Sequence, residues 1–200
     1  SPGRISSGVA GGRPDRQPGR TVCGGAHLCS ASAAERLGEL ATSAFERWCP
    51  EPEDLARLLD LEPDLAGRVH GLIGEKLQRE PVEDFRLDFE DGYGNRPDEE
   101  EDGHAVSAAE EVAEGMDEGS LPPVVGIRIK PLSGELHRRS LRTLDLFVTT
   151  LVERAGSLPD HFVVTLPKIQ DVEQVNVMTE ALDELESRLG VAPIPLELMV

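Results

Sequence analysis

Two hundred residues with 38% apolar content suffice for one ordinary domain with its own core. Thirty-eight acids against twenty bases leave a formal net charge of -18, which argues against nucleic-acid binding, because phosphate contacts need clustered Lys and Arg. No run approaches the ~18 apolar residues of a membrane span, and no hydrophobic signal core opens the chain, so no membrane partner is expected.

Residues 1–15 are rich in Gly, Pro, Ser and Arg and are expected to be a disordered tail. A short strand is expected over 21–28, weakened by Gly24 and Gly25. Helical spacing follows over 31–48, with Ala34, Leu37, Ala41, Ala44, Phe45 and Trp48 on one stripe and Ser30 or Ser32 as cap. Pro50 and Pro52 end it, and further helices are expected over 53–61 and 64–79, the latter with Leu65, Val69, Leu72, Ile73 and Leu77 on one face. The three cysteines, Cys23, Cys29 and Cys49, have no paired spacing, so they read as reduced, mostly buried and cytoplasmic. Cys23, His27 and Cys29 lie close together, but no second Cys/His group completes a metal cluster.

A regular rhythm then begins. Strands are expected at 84–90, 124–130, 162–168 and 194–200, with helices at 97–116, 134–154 and 172–189 between them. Such alternation implies parallel pairing. The five acids at 98–102 read as a solvated helix N-terminus, where they suit the dipole, and Arg138, Arg139 and Arg142 as an exposed helix face rather than a site for a CoA phosphate. Both ends look cut: the chain starts without methionine and stops at Val200 inside an apolar alternating run.

The faces of these strands carry the chemistry. Phe85, Leu87 and Phe89 alternate with Arg86, Asp88 and Glu90, and Asp91-Gly92 ends the strand. Val125, Ile127 and Ile129 alternate with Gly126, Arg128 and Lys130; Ile194, Leu196, Leu198 and Val200 alternate with Glu197 and Met199. A doubly wound sheet is apolar on both faces, so one charged face favours a barrel with a polar interior and its site at the strand C-termini. There Asp88, Glu90, Asp91, Arg128, Lys130 and Lys168 would form a mixed-charge mouth. Carboxylates in it suit Mg²⁺ and a guanidinium suits a substrate carboxylate; an interior salt-bridge network is the competing reading. His70 and His104 read as surface or packing residues, His27 as lining the mouth or not, and Gly92, Gly94 and Asn95 as turn-formers.

D-x-E-D at 88–91, R-x-K-P-L at 128–132 and L-P-K-I at 166–169, followed by P-L-E-L-M-V, resemble the citrate lyase β-subunit-like, HpcH/HpaI aldolase family. R-Q-P at 16–18, D-F-E-D-G-Y-G at 88–94 and R-T-L-D-L-F at 142–147 bring the chain near an uncharacterised, aldolase-annotated branch. The resemblance covers roughly residues 17–200 and implies a (β/α)8 TIM barrel, of which 16–200 would be the N-terminal portion, about five β/α steps with extra N-terminal helices. It further implies a Mg²⁺-dependent carbon–carbon lyase acting on a carboxylate, an α-keto acid or an acyl-CoA through a stabilised enolate, in a homo-oligomer. By resemblance, Arg128 grips the substrate carboxylate, with Lys130 and Asp88 beside it. Glu90 and Asp91 sit by the metal and its waters, and Lys168 acts electrostatically. Lys130 stands where many of these lyases have asparagine, and the family's primary metal ligands, a glutamate directly after the fifth strand and a later aspartate, are expected beyond Val200. The contrasting reading is a non-catalytic acidic interaction module with barrel-like strands.

Overall fold

The computed structural model describes residues 21–199, so the expected tail at 1–15, the 16–18 motif and Val200 lie outside the described residues. The chain is a mixed α/β domain with five strands and six α-helices among the described residues. Strand β1 (Thr21–Gly25) passes through a single 3-10 turn into three helices, α1 (Ala33–Trp48), α2 (Pro52–Leu59) and α3 (Pro63–Arg79). Then β2 (Asp84–Asp88), α4 (Asp98–Glu118), β3 (Val124–Arg128), α5 (His137–Ala155), β4 (Phe162–Leu166), α6 (Val172–Leu189) and β5 (Leu196–Leu198) alternate. All four strand pairs are parallel, and the strand order follows chain order with no reversal.

The strands are shorter than their alternating runs. The ladder ends at Asp88, Arg128 and Leu166, leaving Glu90, Lys130 and Lys168 on loops. Pro and Gly punctuate the helices. Pro opens α2 and α3, and left-handed glycines at 119, 156 and 190 close α4, α5 and α6. Ser32 stands at the N-cap of α1, but its side chain makes no capping bond.

One face of the sheet meets α4, α5 and α6. Leu87, Phe89, Ile127, Ile129, Val164 and Leu166 pack there against Ala105, Ala109, Leu144, Phe147, Met178 and Leu182. Each large apolar side chain buried here contributes about 1.5–3 kcal/mol. Phe147 stacks on Phe162 at 6.0 Å and meets Phe89 edge-on at 6.3 Å.

The N-terminal helices depart from expectation. The apolar stripe of α1 is largely exposed, with Leu40 at 68% and Trp48 at 66%, and only Gly38 is buried, close against Pro81. Leu65 and Leu72 of α3 are exposed as well, while Ala66 is fully buried. The cysteines are free, but they are not mostly buried: Cys23 is exposed and the other two are half-buried. Among the described residues no helix is long and apolar enough to cross a membrane.

Candidate active site

Register brings the charged residues together. Asp88 is level with Arg128 across the β2–β3 pair, and Arg128 with Thr165 across β3–β4. Glu90 and Asp91 follow β2 by two and three residues, and Lys168 follows β4 by two. All lie at the C-terminal ends of neighbouring parallel strands.

Asp88 is the anchor. It is 1% exposed, and each of its oxygens accepts two hydrogen bonds. Oδ1 accepts from the Glu90 N–H at 2.8 Å and from Arg128 Nε at 2.9 Å. Oδ2 accepts from the Gly92 N–H at 2.7 Å and from Arg128 Nη2. Burial pushes the Asp88 carboxyl upward, but the Arg128 fork and the two backbone donors outweigh it and hold it below the usual range. The Asp88 bonds raise Arg128 further above its ordinary value, against the effect of burial.

Glu90 is buried between two cations. Its Oε1 meets Lys168 Nζ, while Oε2 lies 3.7 Å from Arg128 Nη1, too far for a hydrogen bond, and accepts none from any described residue. Lys168 also donates to Asp91 at 2.8 Å. That bond lowers the Asp91 carboxyl and raises the Lys168 ammonium. Lys168 holds this position with φ of 52°, a left-handed conformation that is strained for a side chain with a Cβ.

Of the six residues expected at the mouth, Arg128, Asp88, Glu90, Asp91 and Lys168 are joined in one network. Two corrections follow. Asp88 has no oxygen left for a substrate; it holds Arg128 and the 88–92 turn. Lys130 does not join Arg128 in this network but reaches toward α4. Its ammonium is buried between the Phe89 carbonyl at 2.8 Å and Glu101 Oε2 at 2.6 Å, 4.9 Å from the centre of the Tyr93 ring.

Sequence reasoning missed two groups. Below Arg128, Arg86 is 5% exposed, donates to Asp84 at 2.9 Å and lies 3.7 Å from Glu197, which accepts from Thr165 at 2.7 Å. Glycine at 126 makes room for it: a Cβ there would come 2.3 Å from Arg86 Nη1 and 2.2 Å from the Val163 carbonyl oxygen. Above, the acid run at 98–102 is not wholly solvated. Glu101 is 1% exposed and accepts from Thr143 at 2.7 Å, and Arg139 is buried against Asp102 rather than exposed. Tyr93 Oη lies 2.7 Å from His104 Nδ1, with His27 packed against both rings, so His27 and His104 belong to the rim of the turn. Burial drives Tyr93 up to about 12 and His27 downward.

Magnesium fits these residues poorly as a directly held ion. Among the described residues no three His, Cys, Asp or Glu side chains group as metal ligands. Asp88 is saturated, Lys168 neutralises Asp91 and one oxygen of Glu90, and Glu90 Oε2, facing Arg128, accepts no hydrogen bond from the described residues.

No curated protein matches the chain. Protein-family comparison matches residues 3–200 to the family described as Domain of unknown function (DUF6986). That match spans nearly the whole chain, and the protein belongs to this family.

Proposed function

We propose that this sheet is an arc of a (β/α)8 barrel and that the protein is a carbon–carbon lyase of the aldolase or citrate lyase type. Its substrate class is a small carboxylate, a 2-oxo acid or an acyl-CoA. Three features support the barrel: strand order without reversal, helices packed on one face, and charged side chains on the other. The observation that carries the chemistry is Glu90 Oε2: a buried carboxylate oxygen that accepts no hydrogen bond from any described residue, beside the one guanidinium nitrogen that Asp88 does not use.

Glu90 serves as the base. Its Oε2 takes a proton from the carbon next to the substrate carbonyl; the C–H electron pair forms the C=C bond and the carbonyl π pair moves to oxygen. In cleavage, Glu90 takes the proton of the β-hydroxyl, and the O–H electron pair forms the new C=O bond as the C–C bond breaks. The C–C pair forms the C=C bond of the enolate, the carbonyl π pair moves to oxygen, and the proton on Glu90 is returned to the enolate carbon. Arg128 Nη1 and Lys168 Nζ stabilise the developing negative charge. The magnesium implied by the resemblance would meet Glu90 and Asp91 only through water. A cytoplasmic setting suits the free cysteines, and assembly with further copies suits exposed Leu40, Trp48, Leu58 and Leu72.

The second reading, a non-catalytic acidic interaction module, is favoured by one fact: Arg128, Lys130 and Lys168 each already have a carboxylate partner. Proton NMR in D₂O separates the two. The protein with added Mg²⁺ should exchange the α-protons of pyruvate or of an acyl-CoA for deuterium. Absence of exchange with both classes would favour the interaction module.

A further inference from the structure

The peptide unit between Phe89 and Glu90 is held at both of its polar ends. Its N–H donates to Asp88 Oδ1 at 2.8 Å, on the face occupied by Arg128. Its carbonyl accepts from Lys130 Nζ at 2.8 Å. These two bonds fix the plane of the peptide and with it the position of the Glu90 Cα.

Lys130 is itself fixed. The residue is 5% exposed, and its ammonium has the Phe89 carbonyl, Glu101 and the Tyr93 face around it. Of the three donors of the ammonium, two are taken by hydrogen bonds and the third is covered by the Tyr93 ring, on a residue closed off from solvent. Glu101 is held in turn by the Thr143 hydroxyl at 2.7 Å and faces Arg139 at 3.5 Å, both on α5. A chain of contacts therefore runs from α5 through Glu101 of α4 and Lys130 to the peptide that carries Glu90.

We propose that Lys130 is a positioning residue: it orients Glu90 by clamping the Phe89–Glu90 peptide and does not contact the substrate. This rests on the lyase reading for its catalytic consequence, but its geometry can be tested independently.

The test combines amide hydrogen exchange with pyruvate deuteration, on the protein and on Lys130→Met. Loss of one clamping bond should speed exchange at the Glu90 and Gly92 amides by about tenfold relative to Ile127 and Val164 in the sheet. The deuteration rate at saturating pyruvate should fall, with the half-saturating concentration unchanged within about twofold. Thr143→Val, which leaves Lys130 in place and removes the hydroxyl that holds Glu101 and accepts from Arg139, should give the same local pattern more weakly, and it serves if Lys130→Met fails to fold. Uniform acceleration of sheet and turn amides would make Lys130 a general stabiliser. A rise in half-saturation with turnover intact would make it a substrate ligand; either outcome overturns the proposal. Absence of deuteration in the unsubstituted protein would defeat the lyase reading, while the amide pattern would still decide the clamp.

Discussion

Arg128 reaches from β3 to Asp88 on β2 through two parallel bonds, Nε to Oδ1 at 2.9 Å and Nη2 to Oδ2, leaving Nη1 between Glu90 Oε2 at 3.7 Å and Met199 Sδ at 3.9 Å. The same guanidinium is thus a structural fork and a candidate substrate donor, and substitutions can separate the two parts.

Lysine at this position supplies a point charge and no fork. Arg128→Lys should cost about 1–2 kcal/mol of stability by losing one charge-assisted bond. Arg128→Met, which leaves Asp88 buried with backbone donors only, should cost about 3–5 kcal/mol. If Nη1 stabilises the enolate, pyruvate deuteration per folded molecule should also drop by about 10²-fold in Arg128→Lys. Urea midpoints and deuteration rates give both numbers; a stability loss with full turnover would make Arg128 structural alone.

Asp88 sets an acid limit to stability. Its carboxyl lies below the ordinary range in the folded protein, so the folded state binds its proton more weakly than the unfolded chain does. The contribution is fully present above the unfolded value, about 3.9, and is lost as pH falls through the folded one. Urea midpoints of the protein should decline below about pH 4 more steeply than those of Asp88→Asn, whose own loss is independent of pH. Parallel acid limbs for the two proteins would contradict this.

Gly126 has no room for a side chain. A Cβ would come 2.2 Å from the Val163 carbonyl oxygen, which is backbone and cannot swing away. Gly126→Ala should therefore destabilise the protein by about 1–3 kcal/mol. Adding Arg86→Ala should not restore the melting temperature, because the backbone clash remains; full restoration would show that the arginine alone demands the glycine.

Lys168 exchanges backbone strain for ion pairs. Its φ of 52° favours glycine, yet its ammonium holds Glu90 and Asp91. Lys168→Gly relieves about 1–2 kcal/mol of backbone strain and loses ion pairs that are partly in water. The melting temperature should stay level or rise while deuteration slows. A marked fall in melting temperature would mean that the ion pairs outweigh the strain.

Much of this arrangement was legible in sequence. The alternation at 84–90 places Leu87 and Phe89 against the helices and Arg86, Asp88 and Glu90 opposite them, because a paired strand turns every second side chain to one face. The same rule misplaced Lys130, whose ammonium reaches the Phe89 carbonyl and Glu101 of α4 instead of joining Arg128. The acid run hid Glu101, although 101, 105, 108, 109 and 112 fall at helical spacing and form the buried stripe of α4. Arg139 was hidden likewise, on the stripe with Ser140, Thr143, Leu144 and Phe147. The α1 stripe was legible as apolar, but its exposure was not, since periodicity gives a face and not the surface that covers it.

Glu90 is the base in the proposed chemistry. Its most direct test compares the protein with Glu90→Gln for deuterium incorporation into pyruvate or an acyl-CoA, at equal folded fraction and with Mg²⁺ present. Glutamine keeps the shape and the contact to Lys168 but cannot take the proton. Deuteration should fall by about 10²–10⁴-fold, the usual worth of a positioned base, with folding retained. Equal deuteration in the two proteins would remove Glu90 from the chemistry.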